Sequence, residues 1–303
     1  MRRRLDGAPP LASIAFTSKE RLLMGALREI VTALTIHPGF RRTPIVCKGG
    51  TRMALGYGLP RPSTDLDLAC GGAVDKAQVL EVAVAAIARE RHRTVVRADI
   101  KQRGHGYLRL HWVDEAAAAE IQTSMDVQTN DPLAVPDNAI IRHGFRTFDL
   151  KTMARSKLST IVGKRPRIAA RDLYDAAWLM ERHMEAVHPN ERIALWETIH
   201  VTVLDRADEW TRLFRTDDIL SRSSLDQVWD SLEASLAHDP LVLLHRDPEG
   251  TLNLKDADDG PVLVFSGNMI DDQTIGAFES REAVQLWLCS IDPEGRLPEL
   301  IRD

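Results

Sequence analysis

Lys48-Gly49-Gly50-Thr51 is followed, fifteen residues after Gly50, by Asp65-Leu66-Asp67. Two adjacent glycines let the backbone approach a bulky anion, and N–H groups at a following helix start can hold phosphate. Thr51 adds a hydroxyl, and Lys48 and Arg52 add positive charge. Carboxylates at alternate positions of a strand share one face. They offer the oxygen donors that Mg²⁺ takes together with substrate phosphates. The chemistry indicated is in-line displacement at phosphorus on a metal-bound polyphosphate. A lone Asp-x-Asp is more often a turn or a solvent face, and a lone Gly-Gly-Thr is more often structural. The combination carries the reading.

Four further groups qualify as candidates. Asp126, between Met125 and Val127, is placed to share the face of the Asp pair. It would bridge a metal or take the proton of an attacking hydroxyl; the alternative is an exposed strand-end aspartate. Lys151, Arg155 and Lys157 form either a phosphate-binding or a solvated helix face. Arg165, Arg167 and Arg171 cluster near Pro166 and could grip triphosphate or a polyanionic acceptor. Asp172 could be catalytic or simply a helix-start carboxylate favoured by the dipole.

The elements that must position these groups follow from periodicity. Ser18 precedes a helical spacing of Leu22, Leu23, Ala26, Leu27, Ile30, Val31 and Leu34, with Ser18 as N-cap. Pro44–Cys47 reads as a buried strand, Gly49-Gly50 as a turn, Thr51–Gly56 as a helix start and Asp65–Ala69 as a half-buried strand. Asp75–Arg91 is helical, and Arg93–Lys101, Gly106–Val113, Glu120–Gln128 and Ala139–Phe148 are strands. Helices follow over Asp149–Val162, Ala169–His183, Asn190–Val203 and Ser224–Ala237. In the remainder, Leu241–Leu244, Val262–Phe265 and Val284–Cys289 are short strands or helix pieces. The order is α+β, not alternating βαβ.

Composition bounds the function. The chain has 303 residues, 44% hydrophobic, with no apolar run long enough to span a bilayer and no apolar segment behind the basic start Arg2-Arg3-Arg4. A cytoplasmic protein without membrane partners is expected. Cys47, Cys70 and Cys289 form no metal or disulfide pattern, and Cys47 reads as a small core residue. The net charge of −5 is uneven. Residues 1–184 hold 29 Lys and Arg against 19 Asp and Glu, a net of +10; residues 185–303 hold 10 against 25, a net of −15. A basic front half suits nucleotide or RNA, and the acidic half either neutralises it or docks a partner.

The segment from Lys48 to Leu68 resembles the signature of AbiEii/MenT-type nucleotidyltransferase toxins, within the DNA polymerase β-like superfamily. Asp149–Glu181 resembles the family's second half, so the likeness covers roughly residues 20–185. It implies a mixed sheet with flanking helices over 1–148 and a helical domain completing the site over 149–240; the acidic extension over 241–303 lies outside the likeness. It implies that Gly49, Gly50 and Thr51 hold the triphosphate, with Lys48, Arg52, Arg165, Arg167 and Arg171 in support. Asp65 and Asp67 would bind Mg²⁺, or Mn²⁺, with Asp126. Lys157 resembles a phosphate-contacting helix lysine and Asp172 a catalytic carboxylate; Arg171 stands where some members carry lysine. The implied activity is NMP transfer from an NTP to the 3′ end of tRNA, in a toxin held by a cognate antitoxin. Transfer to a protein side chain and a non-catalytic module of the same fold are the alternatives. A phosphate on Ser63, beside the metal carboxylates, would oppose triphosphate binding.

Overall fold

The computed structural model describes residues 10–101, 107–135, 138–162, 169–198, 207–236, 242–246, 252–256, 274–278 and 301–302. The chain divides into two compact units, Ala12–Met153 and Ala154–Asp303 with Met1–Leu11. The division falls inside a helix, a few residues beyond the 148/149 boundary expected from the sequence.

The first unit is built on α1 (Ser18–Ile36), β1 (Val46–Lys48), α2 (Gly49–Tyr57), β2 (Asp65–Ala69), α3 (Lys76–Ile87), β3 (Arg93–Lys101), β4 (Tyr107–Asp114), β5 (Ala119–Gln128), β6 (Ala139–Arg142) and β7 (Phe145–Phe148). The strands form one mixed sheet in the order β3-β4-β5-β2-β1-β7-β6. β2 runs antiparallel to β1 and parallel to β5, and β1 runs parallel to β7.

Local chemistry explains the boundaries. The cap of α1 is Thr17, not Ser18. Its Oγ1 accepts from the Glu20 N–H, and the Glu20 carboxylate accepts from the Thr17 N–H, a reciprocal pair that satisfies two open donors. Asp75 caps α3 by accepting from the Ala77 N–H. Gly49 and Gly50 open α2 rather than forming a separate turn. The single strand expected over Ala139–Phe148 is a hairpin. His143 and Gly144 both have positive φ, 50° and 85°, as a two-residue turn between twisted strands requires.

Burial alternates along β4 and β5, one face packed and one open. The packed face carries Leu66, Leu68, Leu108, Leu110, Trp112, Ile121, Met125 and Val127. It meets Leu23, Leu27, Ile30 and Leu34 of α1 and Val79, Ala83 and Ile87 of α3 in one core. Cys47 lies in that core, as expected, and burial pushes its thiol well above the ordinary range.

In the second unit, α5 (Ala170–His183) packs against α8 (Leu225–Leu236), with α6 (Pro189–Thr198) and α7 (Ala207–Thr216) between them in sequence. α4 (Leu150–Val162) leads into it from the first unit. β8 (Val242–Arg246), β9 (Leu252–Asp256), β10 (Thr274–Phe278) and β11 (Ile301–Arg302) form a four-stranded sheet in the order β10-β8-β9-β11. The expected segment Leu241–Leu244 thus belongs to β8, whereas 262–265 and 284–289 lie outside the described residues. Among the described residues no helix is long and apolar enough to cross a membrane.

Candidate active site

Sheet register brings the acidic residues together. Asp67 on β2 stands opposite Lys48 on β1 and opposite Asp126 on β5; Asp65 stands opposite Ser124. Side chains opposite each other in neighbouring strands share a face. Leu66 and Leu68 alternate with the aspartates, and Met125 and Val127 flank Asp126; all four are buried. The three carboxylates therefore lie on the open face, with Asp65 and Asp126 exposed and Asp67 half-buried.

The glycine turn lies against this row. Gly49 has φ +69°, a backbone conformation that side chains disfavour. A Cβ at Gly49 would stand 2.0 Å from the Asp67 Oδ2, so only glycine admits the carboxylate there. Lys48, the residue before α2, caps the helix with no side-chain bond. The first N–H groups of a helix lack partners within it and carry its positive end. The start of α2 thus sets helix N–H groups beside a row of carboxylates.

The donor set fits a magnesium-type ion. Such ions take one or two carboxylates and leave other positions to water and phosphate. Among the described residues no three His, Cys, Asp or Glu side chains converge on one point. Asp65 and Asp67, with Asp126 across the strand pair, would supply the ligands.

Several expected nucleotide contacts point elsewhere. Thr51 is fully buried; its Oγ1 donates to the Asp65 carbonyl and lies 2.8 Å from the Ser63 Oγ. It fastens the start of α2 to the start of β2 instead of facing a ligand. Ser63 is 7% exposed and its hydroxyl belongs to this pair, so a phosphate there requires the segment before β2 to lift. Arg52 also departs from its expected nucleotide contact. Its side chain is buried, with the guanidinium bonded to Thr147 Oγ1 and to the Phe148 and Asp149 carbonyls. It lies 4.5 Å from the Tyr57 ring centroid. Burial pulls it down to about 10, still charged at neutral pH. Lys48 is drawn to Gln128 Oε1 and, at 3.2 Å, to Asp131.

In the second unit, Lys157 on α4 bonds Asp172 and, at 2.7 Å, the fully buried Asp175 on α5. Asp172 also accepts from the Ala169 N–H at 3.2 Å, closing the start of α5. Lys157 and Asp172 are therefore brought together, with Asp175 as a third member that is not among the candidates named from the sequence. The spacing 172/175 put both carboxylates on one helix face and was the available signal. Arg171 pairs with Asp217 at 2.8 Å; burial alone would raise the Asp217 carboxyl, but the Leu220 N–H, Arg171 and the Ile219 N–H together hold it low. Arg165 and Arg167 lie outside the described residues.

Arg61 went unnoticed in the sequence. It is buried, its Nη1 donates to the Pro62 carbonyl at 2.9 Å, and its Nη2 lies 2.8 Å from where a Cβ of Gly50 would be. An arginine between Pro60 and Pro62 gave no periodic signal.

The family model described as nucleotidyl transferase AbiEii toxin, type IV TA system, matches residues 38–249. The chain belongs to the AbiEii nucleotidyltransferase toxin family. AbiEii family members are nucleotidyltransferases of toxin–antitoxin systems, which implies a nucleoside triphosphate and an antitoxin as partners, and the family generally uses divalent metal ions. Two Helicobacter pylori structures share the fold. One, solved as a candidate nucleotidyltransferase, is 21% identical with a TM-score of 0.62, covering 73% of this chain and 93% of the other. JHP933 is 21% identical with a TM-score of 0.61, covering 73% and 91%. MenT4, a nucleotidyltransferase toxin from Mycobacterium tuberculosis, aligns at 20% identity over 72% and 92% with a TM-score of 0.41. No curated protein matched the chain. The expected mixed sheet with flanking helices agrees with the two Helicobacter pylori likenesses.

Proposed function

We propose that this AbiEii-family chain is a Mg²⁺-dependent nucleotidyltransferase toxin that moves NMP from an NTP to the 3′ end of tRNA. The observation that carries the reading is the register of Asp67 with Asp126 beside Gly49. A bound divalent cation would neutralise phosphate charge and favour ionisation of the acceptor hydroxyl. The chain's own residues do the rest. The start of α2 receives the β- and γ-phosphates on its N–H groups. Asp65 and Asp67 would hold the cation, and Asp126 would take the proton of the attacking hydroxyl or help to hold that cation; the new bond from the hydroxyl oxygen to the α-phosphorus forms as the α–β bridge breaks and pyrophosphate leaves. Lys157, held by Asp172 and Asp175 in the second unit, is a further candidate for a phosphate contact. Little covalent work falls to the protein; positioning and charge carry the rate. Arg165, Arg167 and Arg171 are the remaining candidates for triphosphate or acceptor. The cytoplasm is the compartment that holds these substrates.

The test incubates the purified chain with total tRNA, Mg²⁺ and each labelled NTP in turn. Label should enter RNA with one NTP preferred. Asp65→Asn and Asp67→Asn should each lower transfer by at least ~10³-fold while thermal unfolding stays intact. Chelation with EDTA should stop transfer, and added Mg²⁺ should restore it. Label in a protein fraction with none in RNA would shift the reading to protein nucleotidylation; full activity in both variants would remove the enzyme reading.

A further inference from the structure

The open face of the sheet continues past the acidic row. Tyr107 on β4 stands opposite Asp126, one strand beyond Asp67. Arg109 stands opposite Ser124, one strand beyond Asp65. At about 4.8 Å per strand, this pair sits about 10 Å from the β2 carboxylates, measured across the sheet.

The state of Arg109 is unusual for a face that carries acids. Among the described residues no carboxylate pairs with it. Asp99, opposite on β3, is held at 2.7 Å by Arg97 instead. Arg109 Nη2 lies 3.4 Å from the Tyr107 Oη, and its guanidinium carbon is 5.3 Å from the Tyr107 ring centroid. Its Nε is shielded from water and has no hydrogen-bond partner among the described residues. A buried donor without an acceptor is rare in folded proteins and calls for an explanation. A turn of the outer side chain would aim the fork at the open face, where an incoming phosphate would satisfy it in a bidentate way. Once the guanidinium leaves, the Tyr107 ring offers a stacking surface.

We infer that Arg109 and Tyr107 form the grip for a single-stranded polynucleotide end, whose terminal hydroxyl is thereby presented to Asp65, Asp67 and Asp126. Arg109 forks onto a backbone phosphate and Tyr107 stacks on a base, with His111 on the same face extending the track. The net of +10 over residues 1–184 favours a polyanion over a protein acceptor. The inference rests on the nucleotidyl-transfer reading and narrows it to an acceptor subsite.

The test measures anisotropy of a 5′-labelled single-stranded oligoribonucleotide with a free 3′ hydroxyl, alongside KM values for NTP and acceptor, all on the full chain. Arg109→Gln and Tyr107→Leu should each weaken oligonucleotide binding by ~5- to 100-fold, the range of one lost base stack or phosphate fork. Acceptor KM should rise in step while NTP KM holds. Tyr107→Phe, which keeps the ring, should bind as the parent does, and Arg109→Lys should fall between. If thermal melting shows Arg109→Gln to be misfolded, Arg109→Lys against Tyr107→Phe carries the comparison. Asp65→Asn should abolish transfer and keep oligonucleotide affinity, which separates the two readings. Parental affinity in both Arg109→Gln and Tyr107→Leu would overturn the grip. So would a parent chain that labels protein and binds no RNA, and that result would leave nucleotidyl transfer standing.

Discussion

At Gly49 two requirements coincide: a φ of +69° and a carboxylate where any Cβ would go. Gly49→Ala should cost about 1 kcal/mol in backbone energy. It should also displace Asp67 enough to lower kcat/KM by ~10²-fold, the usual penalty for an ångström of misplacement. Steady-state kinetics beside a urea melt would separate the two effects. Thr51→Val should cost about 1–2 kcal/mol through its lost bonds to the Asp65 carbonyl and Ser63, read as a lower urea midpoint at unchanged slope. These two residues also mark what the sequence disclosed. The aspartates were legible because alternation puts them on one face, and Gly49 because few residues tolerate such a turn. Thr51 and Arg52 were misread as ligand contacts because a hydroxyl or guanidinium looks the same in sequence whether it faces a ligand or the interior. Only the placement of β7, almost a hundred residues on, decides that Arg52 closes onto Thr147 and Phe148.

Among the elements, α4 and α5 are joined by Lys157 with Asp172 and Asp175. Removing one partner of a buried ion pair strands the other charge. Lys157→Met should therefore destabilise the second unit by about 3 kcal/mol as well as impair catalysis, with Asp175 left in a dry site. Denaturant unfolding followed by tryptophan fluorescence would read it, and a purely catalytic lysine would leave the midpoint unmoved. Helices α4, α5 and α8 were legible from their periodic apolar faces. α7 was not, since Trp210 and Phe214 give only one helical repeat in ten residues. Strands β9–β11 were equally hidden, because segments of two to five residues are too short for periodicity to tell a strand from a loop.

On the scale of the molecule, acid sensitivity has an identifiable source in the first unit. Burial alone would raise the Asp114 carboxyl. The Ala117 N–H, Arg93 and His92 outweigh that and hold it below the usual carboxylate range. A carboxyl depressed in the folded state adds stability above its unfolded value, near 4, and loses it as pH falls through the folded value. Asp114→Asn should therefore lower stability at neutral pH and flatten the acid limb below about pH 4, seen in melts across that range. The charge division between the halves was visible from composition, but not where the contact boundary falls, because α4 runs through it. The strand order has one more consequence. β1 sits between β2 and β7, and β2 needs β5, so β1 is flanked only by chain made after it. A nascent polypeptide cannot complete the acidic row until Gln128 has emerged from the ribosome, nor seat β1 on both sides until Phe148 has. The proposed site is thus missing from each copy for the first half of its own translation.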